Sequence, residues 1–230
     1  MRLPNLVAGE FVARDNRFRA SVTVNGALTK ARVASSGRMA ELLQPGRRLW
    51  LASKPSPKRR TPYDLVLVEH EDLLVSVDSH LPNRLWAEHL LREGWEGHPI
   101  EDLGAERRLG ESRMDFCVRS GDSFTWMEVK SVTLVEDAQA LFPDAPTLRG
   151  ARHMRELAQV AARGQRAAVI FVVQRADALV FSPHVASDPA FAHALWDAAQ
   201  NGVRVQAYRC RVDLSQVVIE GQVPVHVPHP

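Results

Sequence analysis

The stretch RMDFCVRSGDSFTWMEVK, residues 113–130, restricts the fold more than any other part of the chain. Two runs of strand-forming residues flank a Ser-Gly-Asp turn signal, which is the mark of a β-hairpin. With the turn centred between Gly121 and Asp122, Asp115 falls opposite Glu128, and Arg113 falls opposite Lys130. Side chains alternate along a strand, so these four share one face. Met114, Phe116, Met127 and Val129 take the other, apolar face. Like charges directly opposite on a sheet repel. At roughly 5 Å apart, however, both carboxylates can turn toward one Mg²⁺, which binds oxygen at about 2.1 Å. Lys130 then lies beside the same cation. Spacing alone leaves two readings open: a metal site, or a surface hairpin with cross-strand ion pairs.

The rest of the chain changes character once. Residues 9–79 read as consecutive short strands separated by turn signals such as Asn25-Gly26 and Pro45-Gly46. That pattern suits a small β-barrel, with a five-stranded OB-type barrel as the expectation. SSGRMAELL reads as a helical turn between strands. KPSPKRRTP, residues 54–62, is a basic loop, either a solvated turn or a grip on phosphates through Lys54, Lys58, Arg59 and Arg60. From residue 81 helices alternate with strands. PNRLWAEHLLREGW predicts a helix with Pro82 near its start and a stripe through Leu85, His89 and Leu91–Arg92. Glu88 sits mid-helix and alone suggests only a solvent-facing carboxylate. A loop over 134–146 and then a second helix over 147–163 are expected. AAVIFVVQ is continuously apolar, as in a strand covered on both faces. A third helix runs between Asp188 as N-cap and Gly202 as stop. These elements predict an α/β layered domain, with 1–80 as the barrel and 81–230 as the second unit.

Charge divides along the same line. Residues 1–80 hold 13 Lys/Arg against 8 Asp/Glu, and residues 81–230 hold 16 against 19. A basic first third suits a polyanionic partner. No apolar run is long enough to span a bilayer, and the start lacks the apolar core of a secretory signal. Cys117 and Cys210 make no ligand cluster and read as buried thiols, pointing to the cytoplasm. No Cys or His pair shows zinc spacing. His153 and Glu156 share a helical face with Arg149 one turn earlier. These three are either a polar helix face or a phosphate-facing or supporting group.

Several stretches together resemble the sugar fermentation stimulation protein A family: SGRM at 36–39, PNRL at 82–85, GESRMDF at 110–116 and MEVKSVTL at 127–134. FPDAPTLRG at 142–150, HMREL at 153–157, GQRAAVIF at 164–171 and FSP at 181–183 continue the match in the family's order. Where the family shows an Asn-Thr pair before Gly-Arg-Met, this chain has Ala34-Ser35-Ser36. The resemblance implies an N-terminal OB-fold followed by a domain like the PD-(D/E)XK nucleases, DNA binding, and a link to regulation of sugar catabolism. Its nuclease pattern maps onto Asp115, Glu128 and Lys130, and implies Glu88 as an additional ligand from the preceding helix. The expected chemistry is phosphodiester hydrolysis assisted by Mg²⁺ or Mn²⁺, with Asp115, Glu128 and Glu88 on the metal. Lys130 would orient the water or offset charge on the phosphate. The nucleic-acid contacts would come from Arg38, Lys54, Lys58, Arg59, Arg60, Arg113, Arg149 and His153, with Trp50, Phe18 or Tyr63 stacking on bases. Two rivals stand beside this reading: a DNA-binding regulator that keeps the scaffold and cuts nothing, and a protein-interaction module.

Overall fold

The computed structural model describes residues 1–229, so only the last position of the 81–230 expectation lies outside the described residues. Six strands come first: β1 (Leu6–Asn16), β2 (Arg19–Val24), β3 (Ala27–Val33), β4 (Arg48–Ser53), β5 (Tyr63–His70) and β6 (Leu73–Ser76). They lie in the order β3-β2-β1-β4-β5-β6, and β3 also pairs with β5. Five strands therefore form a closed OB-like barrel, and closure removes the exposed edges that an open sheet of this size would present. Alternation sends Ala20, Val22, Leu49, Leu51 and Leu65 inward, all essentially buried. The expected helical turn after β3 is present, with Leu43 N–H donating to Met39 C=O at 2.9 Å. Met39 and Leu42 enter the barrel core from that turn.

The remaining elements are α1 (Leu81–Glu93), β7 (Ile100–Leu109), β8 (Ser112–Ser120), β9 (Ser123–Val132), β10 (Leu134–Glu136) and β11 (Gln139–Phe142). After them come α2 (Leu148–Ala162), β12 (Arg166–Val173), β13 (Val180–Pro183), α3 (Pro189–Gln200), β14 (Arg204–Val212) and β15 (Val217–Val223). The main sheet runs β15-β14-β12-β9-β8-β7, with β12 parallel to both β9 and β14. Strand β12 shows why the order holds. Ala168, Ile170 and Val172 face a core with Leu81, Leu85, Trp86 and Leu90 of α1. Val169, Phe171 and Val173 face a core with Met154 and Leu157 of α2 and Phe191 and Leu195 of α3. A strand buried on both faces needs no polar alternation, so the apolar run reads correctly. The Asp188 cap holds as expected, and Thr147 caps α2 in the same way. Thr147 accepts from Gly150 N–H and Asp188 from Phe191 N–H.

Three expectations need correction. The stripe of α1 is Leu81, Leu85, Trp86 and Leu90, while Leu91 is exposed; with 3.6 residues per turn, Leu90 rather than Leu91 follows Trp86 round the helix. The stretch 134–146, expected as a loop, contains β10 and β11, which form a small sheet with β13. Cys117 is only half-buried, whereas Cys210 is fully buried, and both are free thiols. Strand β7 has no counterpart in the sequence pattern, because it is an edge strand with mostly exposed side chains.

The barrel is tied to the main sheet by polar groups. Gln174, fully buried just after β12, accepts from Ser76 Oγ at 2.9 Å and donates to Ser131 Oγ at 2.9 Å. Its backbone carbonyl accepts from Ser76 N–H at 3.0 Å. A side-chain amide carries a donor and an acceptor on one planar end, so it can serve two strands at once. Gln174→Met keeps the volume and removes both side-chain bonds, leaving two serine hydroxyls without partners. The expected cost is about 2–4 kcal/mol, read as a lower urea midpoint at unchanged m-value. Lys58→Ala on the exposed loop should stay within about 0.5 kcal/mol of the parent.

Candidate functional site

A cleft of about 700 Å³ lies between the barrel and the main sheet. Its floor is β9 from Glu128 onward, with Asp115 of β8 alongside. Ser79, His80 and Asn83 stand on one side and residues 143–149 on the other; Arg17 and Ser35–Gly37 of the barrel complete it. The barrel segment after β3 is anchored at both ends. Ser79 N–H and its hydroxyl donate to Ala34 C=O, and Met39 N–H donates to Asp144 Oδ2 at 3.0 Å. Between those anchors Gly37 lies so close to Asp144 that an added Cβ would sit 2.6 Å from Oδ2. Arg14 braces the segment from below by donating to the carbonyls of Gly37 and Arg38, each at 2.6 Å. Ser35 and Ser36 line the cleft.

The hairpin register sets the carboxylates. Phe116 pairs with Met127, and the next step of that register brings Asp115 level with Glu128. The ladder ends there, because Asp115 Oδ2 takes Val129 N–H at 2.8 Å. Arg113 is therefore not opposite Lys130 but pairs with Arg108 on β7. Its exposed guanidinium meets Glu106 at 3.0 Å. The apolar face is also split. Phe116, Met127 and Val129 enter the core under α1, whereas Met114 enters the one under α2.

The two acids sit in opposite electrical conditions. Glu128 is 4% exposed, and burial would raise its pKa. The Lys130 ammonium, 2.5 Å from Oε1, and the His153 ring bonded to the same oxygen more than offset that and bring it down to about 2. Asp115 is pushed up to about 6, first by burial and then by the Glu128 charge. Hydrogen bonds from Val129 N–H and from Asn83 Nδ2, at 2.7 Å to Oδ1, oppose the rise without cancelling it. Glu128 Oε2 is buried and has no protein partner. A buried carboxylate oxygen without a donor is costly, and a hard cation is the kind of partner that relieves it. Two carboxylates suit Mg²⁺, which keeps several waters, although among the described residues no three His, Cys, Asp or Glu side chains converge as a metal cluster.

Glu88 does not join them. It is 56% exposed, and its carboxylate meets the Met1 amine at 3.2 Å. The helix residue that reaches the acids is Asn83, and a residue five positions further on is turned by roughly 140°. The PNRL stretch carries that asparagine, yet nothing in the sequence pattern singles it out. His153 is 1% exposed, so it touches Glu128 and no solvent-borne ligand. Arg149 stands at the rim and donates to His153 Nε2 at 3.3 Å. Lys54, Lys58 and Arg60 are exposed away from the cleft lining, as is Arg38, whereas Arg59 is occupied by Asp64. Phe18 is exposed, Trp50 carries the Arg48 guanidinium 4.9 Å from its ring centre, and Tyr63 packs against the barrel core.

Two family models cover this arrangement in chain order. Residues 12–77 match the SfsA N-terminal OB domain and residues 80–216 the sugar fermentation stimulation protein RE domain. The chain belongs to the sugar fermentation stimulation protein family. Among its relatives, the sugar fermentation stimulation protein homolog of Desulforamulus reducens is 43% identical over 98% of this chain and 94% of its own length. That of Moorella thermoacetica is 42% identical over 91% of each. The solved structure of Pyrococcus furiosus SfsA in complex with Ca²⁺ aligns with TM-score 0.88 at 30% identity, over 99% of this chain and 98% of that one.

The opposed pKa shifts make the fold sensitive to pH. Asp115 keeps its proton in the folded chain up to about pH 6 and loses it near 3.8 when unfolded. Between those values the folded state binds more protons, so this carboxyl makes stability fall as pH rises. Glu128 contributes a slope of the other sign near pH 4.5, its unfolded value, and that slope is common to the parent and to Asp115→Asn. Without divalent ions, the stability of the parent relative to Asp115→Asn should drop by on the order of 2 kcal/mol between about pH 4.5 and 7. Denaturant melts of the two proteins at a series of pH values measure it.

Proposed function

We propose that this protein binds DNA and hydrolyses phosphodiester bonds with a divalent cation held by Asp115 and Glu128. The observation that carries the reading is the pair of carboxylates on one cleft floor, Glu128 buried and Asp115 half-buried, with Lys130 beside them and Glu128 Oε2 lacking a partner. The relative solved with Ca²⁺ supports a cation in a closely similar fold. The family name supports the link to sugar catabolism.

When bound, Mg²⁺ or Mn²⁺ would polarise the scissile phosphate and make a coordinated water a better nucleophile. The chain's own groups do the rest. Asn83 and Val129 N–H fix the Asp115 carboxylate, and His153 and Lys130 fix that of Glu128. Lys130 offers an ammonium to charge building on the phosphate or to the attacking water. Arg149, at the rim of the cleft, is placed to meet a neighbouring phosphate.

A non-cleaving DNA-binding regulator is the second reading, and Glu88 favours it. The third carboxylate that the nuclease resemblance implies is turned to the Met1 amine, so the acid set is thinner than that pattern calls for.

Plasmid and single-stranded DNA incubated with Mg²⁺ or Mn²⁺ separate the two. The nuclease reading expects nicking that falls by about 100-fold or more in Glu128→Ala and in Lys130→Ala. Binding without nicking in the parent favours the regulator. Equal nicking in parent and Glu128→Ala places the activity elsewhere. On either reading, removing Lys54, Lys58 and Arg60 together should weaken DNA binding. It should also flatten the dependence on log salt by roughly 0.7–0.9 for each phosphate no longer neutralised, as read by fluorescence anisotropy between low and high salt.

A further inference from the structure

We infer that His153 is a positioning residue that locks one oxygen of Glu128, so that the other is presented in a fixed direction to a divalent cation. This rests on the metal reading above and adds a role for a side chain that cannot itself reach a metal-bound substrate.

The geometry is a three-residue chain running from the rim of the cleft to its floor. Arg149 donates through Nε to His153 Nε2 at 3.3 Å, and His153 Nδ1 bonds Glu128 Oε1. A guanidinium has donors and no acceptor. Nε2 must therefore be the accepting nitrogen, which leaves the ring proton on Nδ1, where it is donated to the carboxylate. The tautomer is fixed by the far bond, as in the outer-shell partners of metal ligands generally.

Lys130 bonds the same Oε1, but it cannot do this task alone. Its ammonium ends a flexible four-carbon stem, and the proposed chemistry needs that charge at the phosphate. His153 comes from α2, on the opposite side of the sheet from α1, and is 1% exposed on a helix that also buries Ala151, Met154 and Leu157. Its ring has almost no freedom. With Oε1 held by a rigid donor, the direction of the unpartnered Oε2 follows from the planar carboxylate. A histidine serving merely as core filling would not need either nitrogen placed as found.

The two amide side chains discriminate the roles. An asparagine at 153 puts its amide nitrogen near the place of Nδ1, and a glutamine puts it near that of Nε2. Purified full-length variants are titrated with Mn²⁺ and the free ion is followed by electron paramagnetic resonance, with thermal melts to confirm folding and DNA binding measured in EDTA. His153→Gln and His153→Phe are expected to weaken Mn²⁺ binding about 10–100-fold, while His153→Asn stays within about threefold of the parent. DNA binding in EDTA should be the same in all. Folded Gln and Phe variants that bind Mn²⁺ like the parent overturn the inference, as does an Asn variant as weak as the Gln one. Should His153→Phe fail to fold, the Asn and Gln pair still decides. A parent that takes up no Mn²⁺ at all sinks the metal reading itself, which is a different result from equal binding across the series.

Discussion

The site depends on an unequal treatment of two neighbouring acids. Both are withdrawn from water at the same cleft floor, and two buried like charges cannot both ionise at ordinary cost. The fold resolves this by bonding an ammonium to one of them and not to the other. Lys130 and His153 meet on a single oxygen of Glu128, whose pKa falls to about 2. Asp115 receives only neutral donors, from a backbone amide and from Asn83, and rises to about 6. The result is a pair with one fixed negative charge and one that appears on demand. On the proposed reading, a doubly charged ion would supply the missing compensation and draw the proton from Asp115.

That inequality is built by distant parts of the chain. The strands β8 and β9 bring the acids level, α1 supplies Asn83, and α2 supplies His153 and Arg149. The barrel supplies the wall. Its segment after β3 is bonded at one end to Ser79 and at the other to Asp144, so the two sides of the cleft are joined through the barrel rather than merely facing each other. Gln174 fastens the same two bodies at the far end of β9 through Ser76 and Ser131. The cleft is thus a shared product of both units. This gives a physical reason for finding both family models on one chain, in the order 12–77 and 80–216.

The legible parts of this structure are those set by short-range periodicity. The hairpin register follows from a three-residue turn signal and the period of two along a strand, and it places Asp115 and Glu128 correctly. The covered strand β12 and the cap at Asp188 follow in the same way. What fails depends on rotation or on partners far away in sequence. A pattern of motifs assigns Glu88, yet its angle on α1 relative to Asn83 decides the matter, and it faces the Met1 amine. Met114 and Phe116 have the same parity but enter different cores, because the strand leaves its ladder at Asp115 and is no longer a flat ribbon. Strand β7 carries too few apolar residues to announce itself. In the sequence His153 is one of a polar trio on a helix face. Only the tertiary fold shows it to be buried against Glu128, with Arg149 bonded to its other ring nitrogen and Glu156 turned toward Gly110.

The charge of the cleft itself restricts how a polyanion can enter. Its lining carries Arg17, Lys130 and Arg149 against Glu106, Asp115, Glu128 and Asp144, and Lys130 is already committed to Glu128. The positive excess of the chain lies instead on the barrel side, in exposed residues such as Lys54, Lys58 and Arg60. On the proposed reading these two regions have separate tasks. The basic surface gathers the nucleic acid by its phosphates without regard to sequence, while the cleft, being slightly acidic, repels a phosphate until a cation reverses its sign. Entry to the reactive position is then conditional on the ion, and the same electrostatics that would make the ion bind would keep an unloaded site clear of DNA.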